Sequence, residues 1–163
     1  MDSSDELYVS RDRAAQLYDG TAEDIFQGDI YHRLEFALPT RSGSREFPAG
    51  PGIVVSHDCE FTKLARWGDG YRLLVAPLRE IRQFDKPGGV LGHVRANRVR
   101  FLFYLPPVPG LEGEFAADLT TMQPFTAAEL LDAEVAQCLG PALKPALQGA
   151  LAVFFTDRRP GGS

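Results

Sequence analysis

Apolar residues occur in short runs separated by turn-forming residues, a pattern that predicts a chain built mainly from strands. Three runs are the clearest: Gly52–Ser56, Tyr71–Leu78 and Arg98–Leu105. Each is rich in β-branched, aliphatic or aromatic residues and lies next to Gly, Pro or Asp. Weaker alternation predicts strands over Ile30–Leu38 and Glu114–Met122. Short strands at this spacing favour a small barrel over repeated βαβ units.

Three helices are predicted around this β-rich centre. Ser10 is a candidate N-cap for a short helix over Asp12–Tyr18. Thr126 and Glu129 have the spacing of a capping box, which predicts a helix over Thr126–Ala136. A last helix is predicted within 141–155 and starts nearer Lys144, because Pro145 fits only a first helical turn. Its apolar positions recur at helical spacing at Leu143, Leu147, Leu151 and Phe154.

The predicted fold class is therefore mostly β (α+β), a small barrel with a C-terminal helix and a polar N-terminal arm. We divide the chain into an acidic arm (1–24), a barrel domain (25–157) and a tail (158–163). A chain of 163 residues suits one domain. The stretch Pro39–Pro51 is rich in Gly, Ser, Arg and Pro, and we predict a long mobile loop there.

Charge is distributed unevenly. The formal net charge is −5, which makes an overall basic nucleic-acid coat unfavourable. Residues 61–100, however, hold nine basic and three acidic residues, a local charge of +6. Such a segment is a candidate surface for an anionic partner or a solvated strand face. The candidate residues for nucleic-acid or partner binding are Arg79, Arg82, Arg95, Arg98 and Arg100.

Strand alternation within Arg98–Leu105 would place Arg98 and Arg100 on the face opposite Val99 and Phe101. The N-terminus is acidic and has no apolar signal-peptide core, and no apolar run approaches a spanning length. With only two cysteines, Cys59 and Cys138, a disulfide framework is not expected. We therefore expect a cytoplasmic protein with reduced thiols, no membrane partner and no cofactor.

One polar cluster, Ser56–Glu60, follows directly on a predicted core strand, and three interpretations compete. In the first, two alternate members, His57 with Cys59 or Asp58 with Glu60, bind a metal together with distant ligands such as His93, His32 or Cys138, although the usual zinc spacings are missing. In the second, Cys59 is a nucleophile with His57 or His93 as base, although adjacent carboxylates raise a thiol pKa. In the third, the cluster is structural: Cys59 fills core space and Asp58 caps a turn.

Four motifs follow one another along the chain. Gly28-Asp29-Ile30 opens a predicted strand, and Pro51–Asp58 has the pattern P-x-[IV]-V-[IV]-S-x-D. Val75-Ala76-Pro77-Leu78 is similar to a V-A-P-[LI]-T strand, and Asp118–Leu130 loosely fits a later strand and helix. In this order the motifs resemble those of the PemK/MazF-like toxin family of the cell growth inhibitor superfamily. The resemblance implies an SH3-like barrel, a homodimer, and metal-independent cleavage of single-stranded RNA by growth-inhibiting toxins of toxin–antitoxin modules.

In that family, an Arg directly before the Pro of the VVS strand and a Thr or Ser after V-A-P-L carry the chemistry. This chain has Gly50 and Arg79 at those positions. Arg45, Arg79, His57 and Cys59 are the remaining catalytic candidates. We therefore expect a divergent domain without RNase activity that binds a protein or single-stranded RNA. The alternatives are an active divergent endoribonuclease using Arg45, Arg79 and His57, and a thiol- or metal-dependent enzyme centred on residues 57–60.

Overall fold

The computed structural model describes residues 5–21, 23–57 and 71–156. Within them the fold is mostly antiparallel sheet with four helices, which confirms the α+β class. The strands are β1 (Tyr8–Val9), β2 (Asp29–Glu35), β3 (Leu38–Pro39), β4 (Arg45–Glu46), β5 (Ala49–Val54), β6 (Arg72–Glu80), β7 (Leu102–Leu105), β8 (Phe115–Asp118), β9 (Gln123–Thr126) and β10 (Val135–Leu139). The helices are α1 (Arg11–Leu17), α2 (Val90–Arg95), α3 (Ala127–Asp132) and α4 (Lys144–Thr156).

Eight strands form one sheet. Seven of them follow the order β1-β10-β2-β5-β6-β8-β7, and the eighth, β9, pairs with the part of β6 that precedes its pairing with β8. The sheet is not closed into a barrel, because its end strands β1 and β7 do not pair with each other in the described part of the chain. Pro77 lies within central β6. Its register places it where the neighbouring strand changes from β9, which ends opposite Val75, to β8, which begins opposite Leu78. A residue without a backbone N–H is tolerated at such a break in the ladder.

Both faces of the central strands are buried. Ile53 and Ala76 belong to a core cluster that also contains Leu147 and Leu151 of α4. Their neighbours Val54 and Val75 point to the opposite face, where they join the cluster that contains Leu130 of α3. This explains why β5 and β6 have continuous apolar runs instead of alternating polarity.

Part of the N-terminal arm is packed on the sheet. β1 pairs with β10, and α1 buries Ala14 and Ala15 in a cluster with Cys138. The Ser10 side chain accepts a hydrogen bond from the backbone N–H of Arg13, so the predicted N-cap is confirmed. Although the arm is acidic in composition, it contains a few apolar residues that pack against β10.

Three local predictions are wrong. The predicted helix over Thr126–Ala136 ends at Asp132, and Val135–Leu139 instead forms strand β10 between β1 and β2. The predicted loop Pro39–Pro51 contains the β3–β4 hairpin and the start of β5. The predicted strand Arg98–Leu105 begins only at Leu102, because helix α2 and a turn precede it. In each case pairing or packing with distant residues overrides the local pattern.

The predicted C-terminal helix is confirmed. It runs over Lys144–Thr156 and buries Leu147 and Leu151 against the sheet, as their spacing indicates. Residues 158–163 of the predicted tail lie outside the described residues.

Candidate functional site

The polar cluster after β5 is described only as far as His57. The hydroxyl of Ser56 accepts a hydrogen bond from the backbone N–H of Leu74 at 2.7 Å, which ties the end of β5 to β6. His57 is exposed and lines a cavity with Tyr71. Asp58, Cys59 and Glu60 lie outside the described residues. The three interpretations of the cluster therefore stay predictions.

The distant candidate metal ligands lie on separate elements. His32 lies on β2 near Glu134, at 3.8 Å, and His93 lies on α2. Cys138 is buried on β10, where burial and the neighbouring Asp29 carboxyl raise its pKa well above that of a free thiol. In the described ranges, no three His, Cys, Asp or Glu side chains are grouped so as to hold a metal ion.

A cleft opens where β5 and β6 diverge. Their ladder joins Gly52–Val54 to Val75–Pro77, and the later residues of β6 pair with β8 instead. The resulting space, which we call the proline cleft, has a volume of about 280 Å³. It is lined by Phe36, Leu38, Pro48, Ala49, Gly50, Pro51, Pro77, Leu78, Arg79, Glu80, Gln83 and Phe115.

Backbone alternation shows which strand edges face this cleft. The N–H of Val55 bonds Leu74 O at 2.9 Å, so odd-numbered residues of β5 direct their backbone groups toward β6. Ala49 and Pro51 therefore direct theirs toward the cleft. By the same alternation Leu78 and Glu80 face it from β6. The missing N–H of Pro51 falls on the edge that faces β6, at a position where β5 and β6 are not paired.

The two positions that the family resemblance singles out both border the proline cleft. A side chain at position 50 would have room, because a Cβ added to Gly50 has no heavy atom within 4 Å. Arg79, at the other position, is held by its neighbours: Nε donates to Asp118 Oδ2 at 2.7 Å, and a terminal nitrogen donates to Thr121 Oγ1 at 3.4 Å. Although burial opposes it, hydrogen bonds from Thr120 and Arg79 lower the pKa of Asp118.

Arg45 and His57, the other catalytic candidates that the structure describes, do not converge on Arg79. Arg45 lies on the exposed β4 strand opposite Pro39, and it does not line the proline cleft. His57 lines a cavity with Arg72, at the far end of β6. Arg72 and Arg79 are seven residues apart on that strand, which corresponds to about 23 Å at roughly 3.3 Å per residue. The geometry therefore provides no three-residue site of Arg45, Arg79 and His57.

The arginines near the end of the basic segment do not lie on the strand face that the alternation predicted. Arg98 and Arg100 lie in the turn between α2 and β7. Arg95, the last residue of α2, forms a two-pronged ion pair with Glu114, at 3.0 and 2.8 Å. Hydrogen bonds from Arg95 and Tyr104 lower the pKa of Glu114 to about 2. Arg82 lies in the short 3₁₀ helix Ile81–Phe84.

Sequence reasoning missed the walls of the cleft and the partners of its arginine. Phe36, Leu38 and Phe115 come from three separate parts of the chain, and no local pattern marks them as neighbours. Asp118 carried a weak signal, since an Asp side chain often accepts from the backbone N–H two residues further on, and it does accept from the Thr120 N–H at 3.0 Å. Its second role, holding Arg79, depends on the β6–β8 register.

No helix in the described part of the chain has both the length and the apolar character needed to cross a membrane. Comparison of the chain with known family models and with curated proteins gives no match.

Proposed function

We propose that this chain is a divergent PemK/MazF-like domain that acts as a binding module without ribonuclease activity, and that its proline cleft takes an extended segment of a partner protein. One observation carries the proposal. Positions 50 and 79 border a single cleft between diverging strands, yet they hold a glycine and an arginine that is tied to Asp118.

The side chains at the cleft argue against RNA cleavage. A guanidinium that stabilises charge on a reacting phosphate must be aimed at it. Gly50 has no such group, and Arg79 directs two of its nitrogens to Asp118 and Thr121. The position after Leu78 also has no hydroxyl, because Arg79 occupies it. Arg45 and His57, the proposed substitutes, lie outside the cleft.

The walls favour a peptide over RNA. Ala49 and Leu78 direct strand-edge groups into the cleft, and an extended peptide pairs with such edges. Phe36, Phe115 and the prolines offer apolar surface for its side chains. Charge in the lining is balanced, since it contains one Arg and one Glu. RNA affinity depends instead on an excess of cations along the phosphate path.

A cleavage assay tests the loss of activity. The purified protein, incubated with single-stranded RNA of mixed sequence in EDTA, should leave the RNA intact. RNA cleavage that Arg79→Ala abolishes would establish the divergent ribonuclease instead. Stoichiometric bound zinc, or an activity lost on Cys59→Ser, would point to the enzyme centred on residues 57–60.

A peptide-display selection tests the binding site. Gly50→Arg should fill the cleft without disturbing the fold, because position 50 is open to a side chain. Gly92→Arg is the matched control, since position 92 lies on α2 and is equally open. We expect selected peptides to bind the wild type and the Gly92→Arg variant and to lose at least tenfold affinity for Gly50→Arg. RNA binding that Gly50→Arg disrupts, with no peptide binding, would favour a nucleic-acid partner.

The resemblance also leads us to propose a homodimer in the cytoplasm. Sedimentation equilibrium at micromolar concentrations measures the oligomeric state directly. A mass of one chain, 17.9 kDa, at these concentrations would exclude a stable dimer.

A further inference from the structure

A second cavity lies at the other end of β5 and β6, beside helix α4. Its volume is about 480 Å³, within the range of small-molecule sites. It is formed by the turn before β2, the segment after β5, the start of β6 and one side of α4. It shares no lining residue with the proline cleft. We call it the amide cavity, after the glutamine pair that it contains.

Its walls are apolar and open to solvent. Val55 and Leu151 are buried and line the interior. Leu74 and Phe155 also line it, but they keep 38% and 54% of their surface exposed. Large apolar side chains left open around a concave space are typical of a surface that a ligand covers.

Two carboxamides give the cavity a fixed polar group. Gln27 is buried, and its Nε2 donates to Val55 O at 2.9 Å. Its Oε1 accepts from Nε2 of Gln148 at 3.0 Å. Gln148 is thereby held by one N–H, and among the described residues its carbonyl oxygen accepts no hydrogen bond. A positioned amide with a remaining acceptor can read the edge of a polar ring.

Arg72 gives the described part of the rim a positive charge. Its side chain is exposed and makes no hydrogen bond or ion pair with any described residue. His57 stands on the same rim, and no carboxylate is among the lining residues described. The rim therefore attracts an anionic group, whereas the interior attracts an apolar ring.

We propose that the amide cavity binds a nucleotide. The base lies between the apolar walls of Leu74 and Phe155, the Gln148 carboxamide reads its polar edge, and Arg72 attracts its phosphate. A fatty acyl chain would cover the carbonyl oxygen of Gln148 without donating a hydrogen bond to it, which is costly. Inorganic phosphate alone would leave the apolar walls exposed. A free mononucleotide and one nucleotide of an RNA strand present this same chemistry. The inference is independent of the function proposed for the proline cleft.

Calorimetric titration of the full chain with the four ribonucleoside 5′-monophosphates tests the proposal. We expect at least one to bind, and Arg72→Gln to weaken it at least tenfold. Arg98→Gln, which changes another exposed arginine without a described partner, should bind as the wild type does. Gln148→Leu should reduce the difference in affinity between bases.

A blocking pair of variants guards against indirect effects. Ala152→Trp introduces a large side chain into the amide cavity from an exposed position of α4 and should abolish binding. Ala146→Trp places the same bulk at an exposed position on another side of α4 and should leave binding unchanged. Circular dichroism checks that both variants fold.

Three results would overturn the proposal: no binding of any mononucleotide or RNA oligomer at millimolar concentration, binding of inorganic phosphate as tight as that of the nucleotides, or binding of octanoate in place of nucleotides. A short RNA oligomer identifies the source. If the oligomer binds more tightly than the mononucleotide and Ala152→Trp abolishes both, the ligand is a nucleotide within a strand. The reverse order identifies a free nucleotide.

Discussion

Asp29 is the most deeply buried acidic residue among those described, and its surroundings set its titration. Its carboxylate accepts a hydrogen bond from the Phe26 N–H at 2.8 Å and lies 3.6 Å from Arg11. Tyr31, Cys138 and Lys144 are its other titratable neighbours. Burial outweighs these favourable contacts and raises the pKa of Asp29 to about 6. The folded protein therefore binds a proton here more readily than the unfolded chain does.

Urea denaturation measured over a series of pH values tests the raised pKa of Asp29. Because folding raises the pKa of Asp29, the protonated carboxyl stabilises the folded state relative to the unfolded chain. This contribution is complete below the unfolded pKa near 3.8 and is lost as pH rises through about 6. Between pH 5 and 7.5 we expect this group to lower the free energy of unfolding by about 1 kcal/mol. Asp29→Asn keeps an acceptor for Phe26 and should remove that decrease. An unchanged slope in the variant would assign the titration to another group.

The surroundings of two glycines predict opposite effects of an alanine substitution on the free energy of unfolding. A Cβ on Gly140 would lie 2.1 Å from the carbonyl oxygen of Glu6, so the N-terminal segment would have to move. A Cβ on Gly149, within α4, would have no heavy atom within 4 Å. We expect Gly140→Ala to lower the free energy of unfolding by about 1–3 kcal/mol through overpacking. Gly149→Ala should raise it by about 0.5–1 kcal/mol. Equal effects in chemical denaturation would contradict this contrast.

At the scale of elements, the starts of α1, α3 and α4 could be predicted from the sequence, whereas helix α2 and the end of α3 could not. Thr126 and Glu129 form the predicted capping box, with both reciprocal hydrogen bonds present. The same helix stops at Asp132, because Ala133 turns to an extended conformation. The following residues pair with β2 and β1 on either side. A cap is local chemistry, whereas the end of this helix depends on partners more than 90 residues away in the chain.

Removing the cap should destabilise the protein modestly. The Thr126 hydroxyl accepts from the Glu129 N–H at 3.2 Å, and loss of such a cap costs about 1 kcal/mol. We expect Thr126→Ala to lower the free energy of unfolding by that amount. Thr126→Ser retains the hydroxyl and serves as the control. If both variants unfold at the same denaturant concentration, the hydroxyl contributes nothing at this site.

Strand β7 shows how one residue protects an edge. It pairs with β8 on one side and has no strand on the other among the described residues. The side chain of Asn97 accepts from the Tyr104 N–H at 2.7 Å, on a backbone with φ of 53°. Asn tolerates this left-handed conformation better than most residues do. The turn that carries Arg98 and Arg100 therefore covers an edge that would otherwise offer a donor to another strand.

For the whole molecule, folding neutralises part of the basic segment. Residues 61–100 have a net charge of +6 when counted along the chain. Strand β8 then brings Asp118 against Arg79, and the preceding Glu114 pairs with Arg95. Arg72 lies at the opposite end of β6, in the rim of the amide cavity. Among the described cations of this segment, Arg72 and Arg79 thus lie on different surfaces instead of along one phosphate track.

Salt-dependent RNA binding tests this neutralisation. Asp118→Asn combined with Glu114→Gln releases two guanidinium groups. We expect tighter binding to single-stranded RNA and a slope of log K against log salt that is steeper by up to about 1.4, roughly 0.7 for each additional phosphate that is neutralised. Glu112→Gln with Asp132→Asn changes the net charge equally, at acids for which the described residues provide no ion pair, and should leave the slope nearly unchanged. Identical slopes for the two pairs would show that net charge alone matters.

The sequence by itself determined the features that depend on neighbours within one or two turns. Ser10 and Thr126 cap their helices, Leu147 and Leu151 set the buried side of α4, and the apolar runs of β5 and β6 form core strands. Hydrogen-bonding caps and helical spacing act over a few residues, so a local pattern is sufficient to predict them.

Only the tertiary structure decided what lies opposite each of these elements. The β5–β6 divergence opens the proline cleft, β10 forms a strand in place of a helix end, and Asp118 binds Arg79 across the β6–β8 register. The amide cavity likewise requires Gln27 and Gln148, 121 residues apart, to meet. Such pairings depend on the register of strands and the docking of helices, which are set by packing over the whole chain.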